Sequence, residues 1–277
     1  MLGKLFKYDM KQISRIMLPL LLLTFGTTVF GTAAIKTVNE IVVPMEYGIA
    51  RNVLSSSLYM VFGISVFVLV AFAVMAIFFT VARFYKNLFT DEGYLTFTLP
   101  VNTSTLIFSK FWATLLWLAI TAAAVIAFSL IYLTFGYAPR GEILNSAFYS
   151  DMGQMLRFFL DRIDLSDALF LSEVLVCVIL QVVHGVMTLF LAVTIGSIVA
   201  KKHKILASIG FYYIINAIVS IIMTSGTMGF ALNADAVSNS YAVMQLLLAI
   251  GIAFYAILSI TEFIIINAFL KKKLNLQ

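Results

Sequence analysis

Six runs of predominantly apolar residues, 16–35, 58–81, 111–135, 169–199, 205–223 and 242–269, are each about as long as a membrane-crossing helix requires. At 1.5 Å of rise per residue, roughly 20 helical residues cover the roughly 30 Å hydrocarbon core of a bilayer. Hydrocarbon offers no partner to an open N–H or C=O, so a run of this kind satisfies its backbone internally, as a helix. With 62% hydrophobic residues, 11% charged residues and a mean hydropathy of +1.04, the chain lies outside soluble globular usage. The predicted fold class is all-α, a polytopic membrane protein with six transmembrane helices, and residues 1–277 are taken as a single transmembrane domain. An even number of spans places both termini on one side.

Basic residues choose that side. With the termini inside, the inner segments hold Lys4, Lys7, Lys11, Arg15, Arg83, Lys86, Lys110, Lys201, Lys202, Lys204, Lys271, Lys272 and Lys273. The outer segments hold Lys36, Arg51, Arg140, Arg157 and Arg162, so the bias is 13 to 5 in favour of the inside. Glu142, Asp151, Asp161, Asp164 and Asp167 crowd into the outer segment 136–167. The net charge of +5 then reflects topology and contact with anionic inner-leaflet lipid, and gives no argument for nucleic acid.

Basic residues ahead of an apolar run imitate a signal peptide at the N-terminus, but the run is too long for a typical h-region and the approach to it carries Asp9. It is expected to be retained. Within residues 1–15, Leu2, Leu5, Phe6, Met10 and Ile13 recur at helical spacing opposite Lys4, Lys7, Lys11 and Gln12. That pattern predicts an amphipathic helix lying in the inner interface before span one; a slightly basic tail is the alternative.

Cys177 is the only cysteine, which excludes a disulfide within the chain and a cysteine-based metal site. No metal ligand set is predicted. His203 falls in the basic run 201–204, where a lipid-headgroup contact is expected.

Span four carries Glu173, Cys177, Gln181, His184 and Thr188 at steps of four, four, three and four, which stacks them on one face. Span six carries Tyr255, Ser259 and Glu262, the carboxylate lying roughly 13 Å from the Lys271 end. Span five carries Ser208, Tyr212, Asn216, Ser220 and Thr224. An ionisable group at such depth costs roughly 2.5 to 3.5 kcal/mol on insertion scales, which marks it as a functional candidate. Glu262, His184, Gln181, Glu173 and Asn216 are therefore the candidate pathway or gate residues, with His184 or a backbone group as the expected partner of Glu262. For Gln181, His184 and Asn216 the alternative is a hydrogen bond that joins helices, and Glu173 is near enough to the outer interface to reach water.

Between spans two and three lies a polar island, 83–110. Its first part alternates aromatic and basic groups at helical spacing, and Asp91-Glu92-Gly93 predicts a turn with glycine where φ is positive. Residues 94–100 predict an extended strip that ends at Pro100, after which Asn102 or Thr103 caps a new helix. A long interfacial loop is the alternative.

The N-terminal sequence Met1-Leu2-Gly3-Lys4-Leu5-Phe6-Lys7-Tyr8, the island sequence Phe84-Tyr85-Lys86-Asn87-Leu88-Phe89-Thr90-Asp91-Glu92-Gly93-Tyr94, and Thr98-Leu99-Pro100-Val101 leading to Ser109-Lys110 resemble permease subunits of bacterial ATP-binding-cassette (ABC) transporters of the type 2 exporter group. The resemblance implies that residues 1–15 are the elbow helix and that 82–110 is a cytoplasmic coupling segment with a coupling helix between spans two and three. It implies that Arg83, Phe84, Tyr85, Lys86, Asp91, Glu92, Gly93, Tyr94, Leu99 and Pro100 face a separate ATPase subunit, which carries ATP and Mg while this chain binds no cofactor. It further implies a second permease copy or a sister permease, a pathway at their seam, short re-entrant helices within 224–241, and residence in the bacterial cytoplasmic membrane. The extracellular loop 136–167 departs from the group's usual layout; Ser150 is expected to cap a helix there on which Met152, Met155, Leu156 and Phe159 share a face.

No G-x-x-x-x-G-K-[ST] phosphate loop, H-E-x-x-H or G-x-S-x-G motif occurs in the sequence. The chain is thus expected to act as a transporter subunit, not an enzyme, that exports an amphipathic substrate with a motor supplied by its partner. Two other readings stand beside it: a proton-coupled secondary transporter that titrates Glu173, His184 and Glu262, and a scaffold or sensor that assembles partners.

Overall fold

The computed structural model describes residues 2–90, 92, 93, 96, 98, 101–136, 150, 151, 153–155, 157, 158, 161, 164–200, 202–233 and 240–274. Among these residues the structure consists of helices joined by turns, without a strand: α1 (Leu2–Thr37), α2 (Ile49–Phe89), α3 (Thr103–Ile131), α4 (Leu165–Val199), α5 (Lys204–Asn233) and α6 (Ser240–Leu274). Each of the six contains a stretch long and apolar enough to cross a membrane, as expected of a multi-pass membrane protein.

The helices overrun the apolar windows at both ends. α1 passes unbroken from Leu2 to Thr37, so no break near residue 15 separates the amphipathic stretch from the first span. Pro19 lies inside it and withholds one N–H from the ladder. Lys4, Lys7, Lys11 and Arg15 are exposed; of the apolar stripe Ile13 is buried, Leu5, Phe6 and Met10 are half-buried and Leu2 is exposed, while Asp9 is buried. The small-residue stretch 224–233 continues α5 as regular helix, and the rest of the segment in which re-entrant helices were expected, 234–239, lies outside the described residues.

The chain divides into two compact units, residues 1–6, 81–115 and 163–277 in one, and 7–80 and 116–162 in the other. In the second unit Leu69, Phe128 and Tyr132 form a buried cluster with Leu21, Phe62, Val66, Ala124, Val125 and Ile131 around it. Small and hydroxylated residues let the helices approach there. A Cβ on Gly31 would stand 2.7 Å from Ser65 Cβ, and the Tyr132 hydroxyl lies 3.0 Å from Ser65 Oγ. Buried Thr24, Thr28 and Thr32 turn their hydroxyls back on the carbonyls of Leu20, Thr24 and Thr28, which keeps each donor satisfied without water. α1 and α3 both end in π-helical turns, Val38–Val42 and Tyr132–Gly136, and Asn39 Nδ2 donates to the Gly136 carbonyl across 3.2 Å.

In the first unit α4 packs against α5 and α6. Asp164 precedes α4 with its N–H directed at Asp167 Oδ2, 3.4 Å away. At the other end Ala200 adopts an extended conformation, and four residues later α5 begins. The close α4–α5 approach depends on Gly196, where an added Cβ would fall 2.5 Å from the Ser208 backbone nitrogen. Of residues 136–167, Ser150, Asp151, Gly153, Gln154, Met155, Arg157 and Phe158 are helical; Ser150 is part of that helix, while Met152, Leu156 and Phe159, expected on its face, lie outside the described residues.

Candidate functional site

Two constellations in the first unit bring candidate residues together. One is built by α4 and α6, the other by the end of α2 and the start of α3.

The four-residue step on α4 sets His184 and Thr188 one turn apart, facing Glu262 of α6. Thr188 Oγ1 donates to Glu262 Oε1 at 2.7 Å, and His184 Nδ1 lies 3.1 Å from Glu262 Oε2, donating in the Nδ1–H tautomer. All three residues are buried, Glu262 at 4% exposure. Both carboxylate oxygens thus have a partner from the neighbouring helix. The Tyr255 ring covers the His184 imidazole at 5.5 Å between centroids. One turn earlier on α6, a Cβ at Gly251 would meet Cys177 Sγ at 3.6 Å, so α4 and α6 run side by side in the same direction. Such an ion-paired or proton-sharing carboxylate is the arrangement that makes an acidic group tolerable in a low dielectric, because a lone charge there would cost several kcal/mol or more.

Not every member of the α4 stripe joins this cluster. Gln181 is exposed, and Glu173 is half-buried with its Oε2 enclosed and without a hydrogen-bond partner among the described residues. Asn216 spends its amide on the Tyr212 carbonyl of its own helix, at 2.9 Å. Among the described residues no group of three His, Cys, Asp or Glu is arranged to hold a metal ion.

The second constellation is a helical corner. Lys86 Nζ reaches Glu92 Oε1 at 3.1 Å. With the Asn87 amide oriented to satisfy both neighbours, its Nδ2 donates to Glu92 Oε2 at 2.9 Å and its Oδ1 accepts from Lys110 Nζ at 2.8 Å. Asn87 and Lys110 are buried, so the amide links α2, Glu92 and α3 where solvent cannot compete. α3 starts at Thr103, and the Asn102 carbonyl accepts from Thr105 N at 2.9 Å, a backbone bond that opens the helix.

Two expectations for this corner are corrected. Glu92 and Gly93 are helical, as is Thr96, whose hydroxyl donates to the Glu92 carbonyl at 3.0 Å; the local helix replaces the predicted turn and extended strip at these positions. Gly93 is required by space, not by a positive φ: a Cβ there would stand 2.8 Å from the Leu88 carbonyl oxygen. Thr90 accepts the Gly93 N–H at 2.8 Å, which holds the corner closed.

Of the residues assigned to a partner-facing surface, Lys86 is exposed and Arg83 and Tyr85 are half-buried. Phe84 is not on the surface. It is 1% exposed, and its ring stacks on Phe190 of α4 at 3.9 Å with an interplanar angle of 5°. Asp91, Tyr94, Leu99 and Pro100 lie outside the described residues. Asn87, Phe190 and Tyr255 were missed as site residues. Asn87 carried no signal beyond its place among aromatic and basic neighbours, and the apolar pair Phe84–Phe190 is invisible without the fold.

Comparison of the chain with protein-family models, with curated proteins and with solved structures finds no match.

Proposed function

We propose that this chain is the membrane-embedded permease subunit of an ATP-driven exporter of the ABC type, with ATP hydrolysed on a separate subunit. One observation carries the reading: Phe84, in the segment that the resemblance assigns to ATPase contact, stacks face to face on Phe190 of the helix that bears His184 and Thr188. A push on the corner formed by Lys86, Asn87, Glu92 and Gly93 would be passed through that ring pair to α4. There it would bear on the Glu262 cluster, six residues nearer the middle of the helix. Packed rings transmit displacement because the interior is close-packed and has little free volume to absorb it.

In this reading the basic bias places the corner and both termini on the cytoplasmic face, residues 1–15 act as the elbow, and 82–110 is the coupling segment. A second permease copy or a sister chain completes the pathway, and the cargo is an amphipathic molecule. The test is co-purification in mild detergent combined with charge reversal at Asp91 and Glu92. The reading requires an ATPase subunit in the wild-type complex and loss of export in the reversed variant; recovery of no such subunit together with undiminished export would sink it.

A second reading is favoured by the buried His184, Thr188 and Glu262 cluster itself. As a proton-coupled carrier, the chain would load and release a proton at that carboxylate while substrate crosses. It predicts uptake or export driven by a pH gradient in vesicles that contain no ATP.

A further inference from the structure

At the start of α5 the backbone turns beside the end of α2 and leaves an open cleft of about 550 Å³. Its polar wall is Tyr85, Lys202, His203 and Lys204. Lys202 and His203 are exposed, and among the described residues none of the three basic side chains has an ion-pair partner. No acidic residue stands in the first turn of α5 to neutralise them.

The rest of the lining is apolar: Ile205, Leu206 and Ile209, which are 62%, 70% and 49% exposed. They belong to the first turns of a helix apolar enough to cross the bilayer, so their neighbours in a membrane are acyl chains. The cleft therefore joins a basic rim, without an ion-pair partner among the described residues, to a greasy wall at the level where a spanning helix begins. A small free anion would use the rim alone and leave the wall bare. A phospholipid with an anionic headgroup matches both, and an aromatic residue such as Tyr85 is at home at headgroup depth.

We infer that this cleft is a binding site for one anionic phospholipid. The Lys202 and Lys204 ammonium groups hold the phosphate, His203 and the Tyr85 hydroxyl supply hydrogen bonds to the headgroup, and an acyl chain lies along Ile205, Leu206 and Ile209. Because Tyr85 belongs to the segment with the Phe84–Phe190 stack, the bound lipid braces that segment against the start of α5. The site stands on its own lining residues and does not depend on the presence of an ATPase.

The test is native mass spectrometry of the full chain in detergent, supplied with equal amounts of phosphatidylglycerol and phosphatidylcholine of identical acyl chains. Wild type is expected to retain phosphatidylglycerol preferentially, with the preference falling about fivefold for each lysine removed in Lys202→Ala and Lys204→Ala. Lys202→Arg with Lys204→Arg should keep it, and Lys271→Ala with Lys272→Ala, at another basic helix end, should leave it unchanged. Leu206→Gln with Ile209→Gln should weaken retention of phosphatidylglycerol, and millimolar inorganic phosphate should not displace it. Equal retention of the two lipids by wild type, an equal loss in the Lys271 and Lys272 variants, or displacement by inorganic phosphate would each overturn the assignment, the last in favour of a free-anion site.

Discussion

His184 Nδ1 and Glu262 Oε2 meet at 3.1 Å between two helices that run in the same direction, and Thr188 Oγ1 closes the other side of the carboxylate at 2.7 Å. The pairing makes the buried glutamate affordable, since removing either partner strands a polar group in a site without solvent. Hydrogen bonds between membrane helices average about 0.6 kcal/mol with a maximum near 1.7 kcal/mol. A double-mutant cycle of His184→Ala and Glu262→Ala, read from unfolding in mixed micelles, should return a coupling near the upper end of that range, at about 1 to 1.7 kcal/mol. A coupling indistinguishable from zero would show that the two groups do not interact in the folded chain.

Helix approach at Gly196 gives a second prediction. A Cβ there would fall 2.5 Å from the Ser208 nitrogen and 2.6 Å from its Cα, both on backbone or nearly so, and neither can swing aside. Gly196→Ala should cost about 1 to 3 kcal/mol through overpacking and lower the thermal midpoint in detergent. Gly210, in α5, has open space around its Cα, so Gly210→Ala should be neutral or raise stability by about 0.5 to 1 kcal/mol.

The Lys86–Glu92 pair separates a structural role from a partner contact. Its side chains are 58% and 42% exposed, and an ion pair so open is worth at most about 1 kcal/mol. Lys86→Glu should therefore leave thermal stability nearly unchanged. If the corner docks on another subunit, the same change should cut transport several-fold, with partial recovery in the Lys86→Glu, Glu92→Lys exchange. Equal transport by wild type and Lys86→Glu would remove Lys86 from the interface.

Phe84 behaves differently because its ring is internal. Phe84→Ala should destabilise the chain by about 3 to 5 kcal/mol, and Phe84→Leu, which keeps most of the volume, by less. In the proposed mechanism Phe84→Leu preserves assembly with the ATPase yet lowers the amount exported per ATP hydrolysed. An unchanged ratio would show that the stack holds the fold together and carries no motion.

The spans were legible from their length because hydrocarbon permits few other solutions, and Glu262 with His184 was legible as a candidate pair because both are expensive to bury. Heptad-like spacing put Glu173 and Gln181 on the same stripe, but spacing defines a face and not its neighbour; only His184 and Thr188 lie opposite a carboxylate. The island was the hardest to read. Its glycine suggested a turn by conformational preference, whereas Gly93 answers to the steric demand of the Leu88 carbonyl, a matter of how the helix closes on itself at the corner, which residue type alone does not state. Phe84 looked like a surface aromatic among charges until its partner on α4 was known.

Photo-crosslinking from the corner tests the central claim most directly. With a benzoylphenylalanine introduced in place of Lys86 and the membranes illuminated, the proposed permease should yield a covalent adduct to a subunit whose sequence contains a G-x-x-x-x-G-K-[ST] phosphate loop, identified by mass spectrometry. If the adduct forms only with lipid or with another copy of this chain, while the protein still transports, the ATPase-coupled account is contradicted.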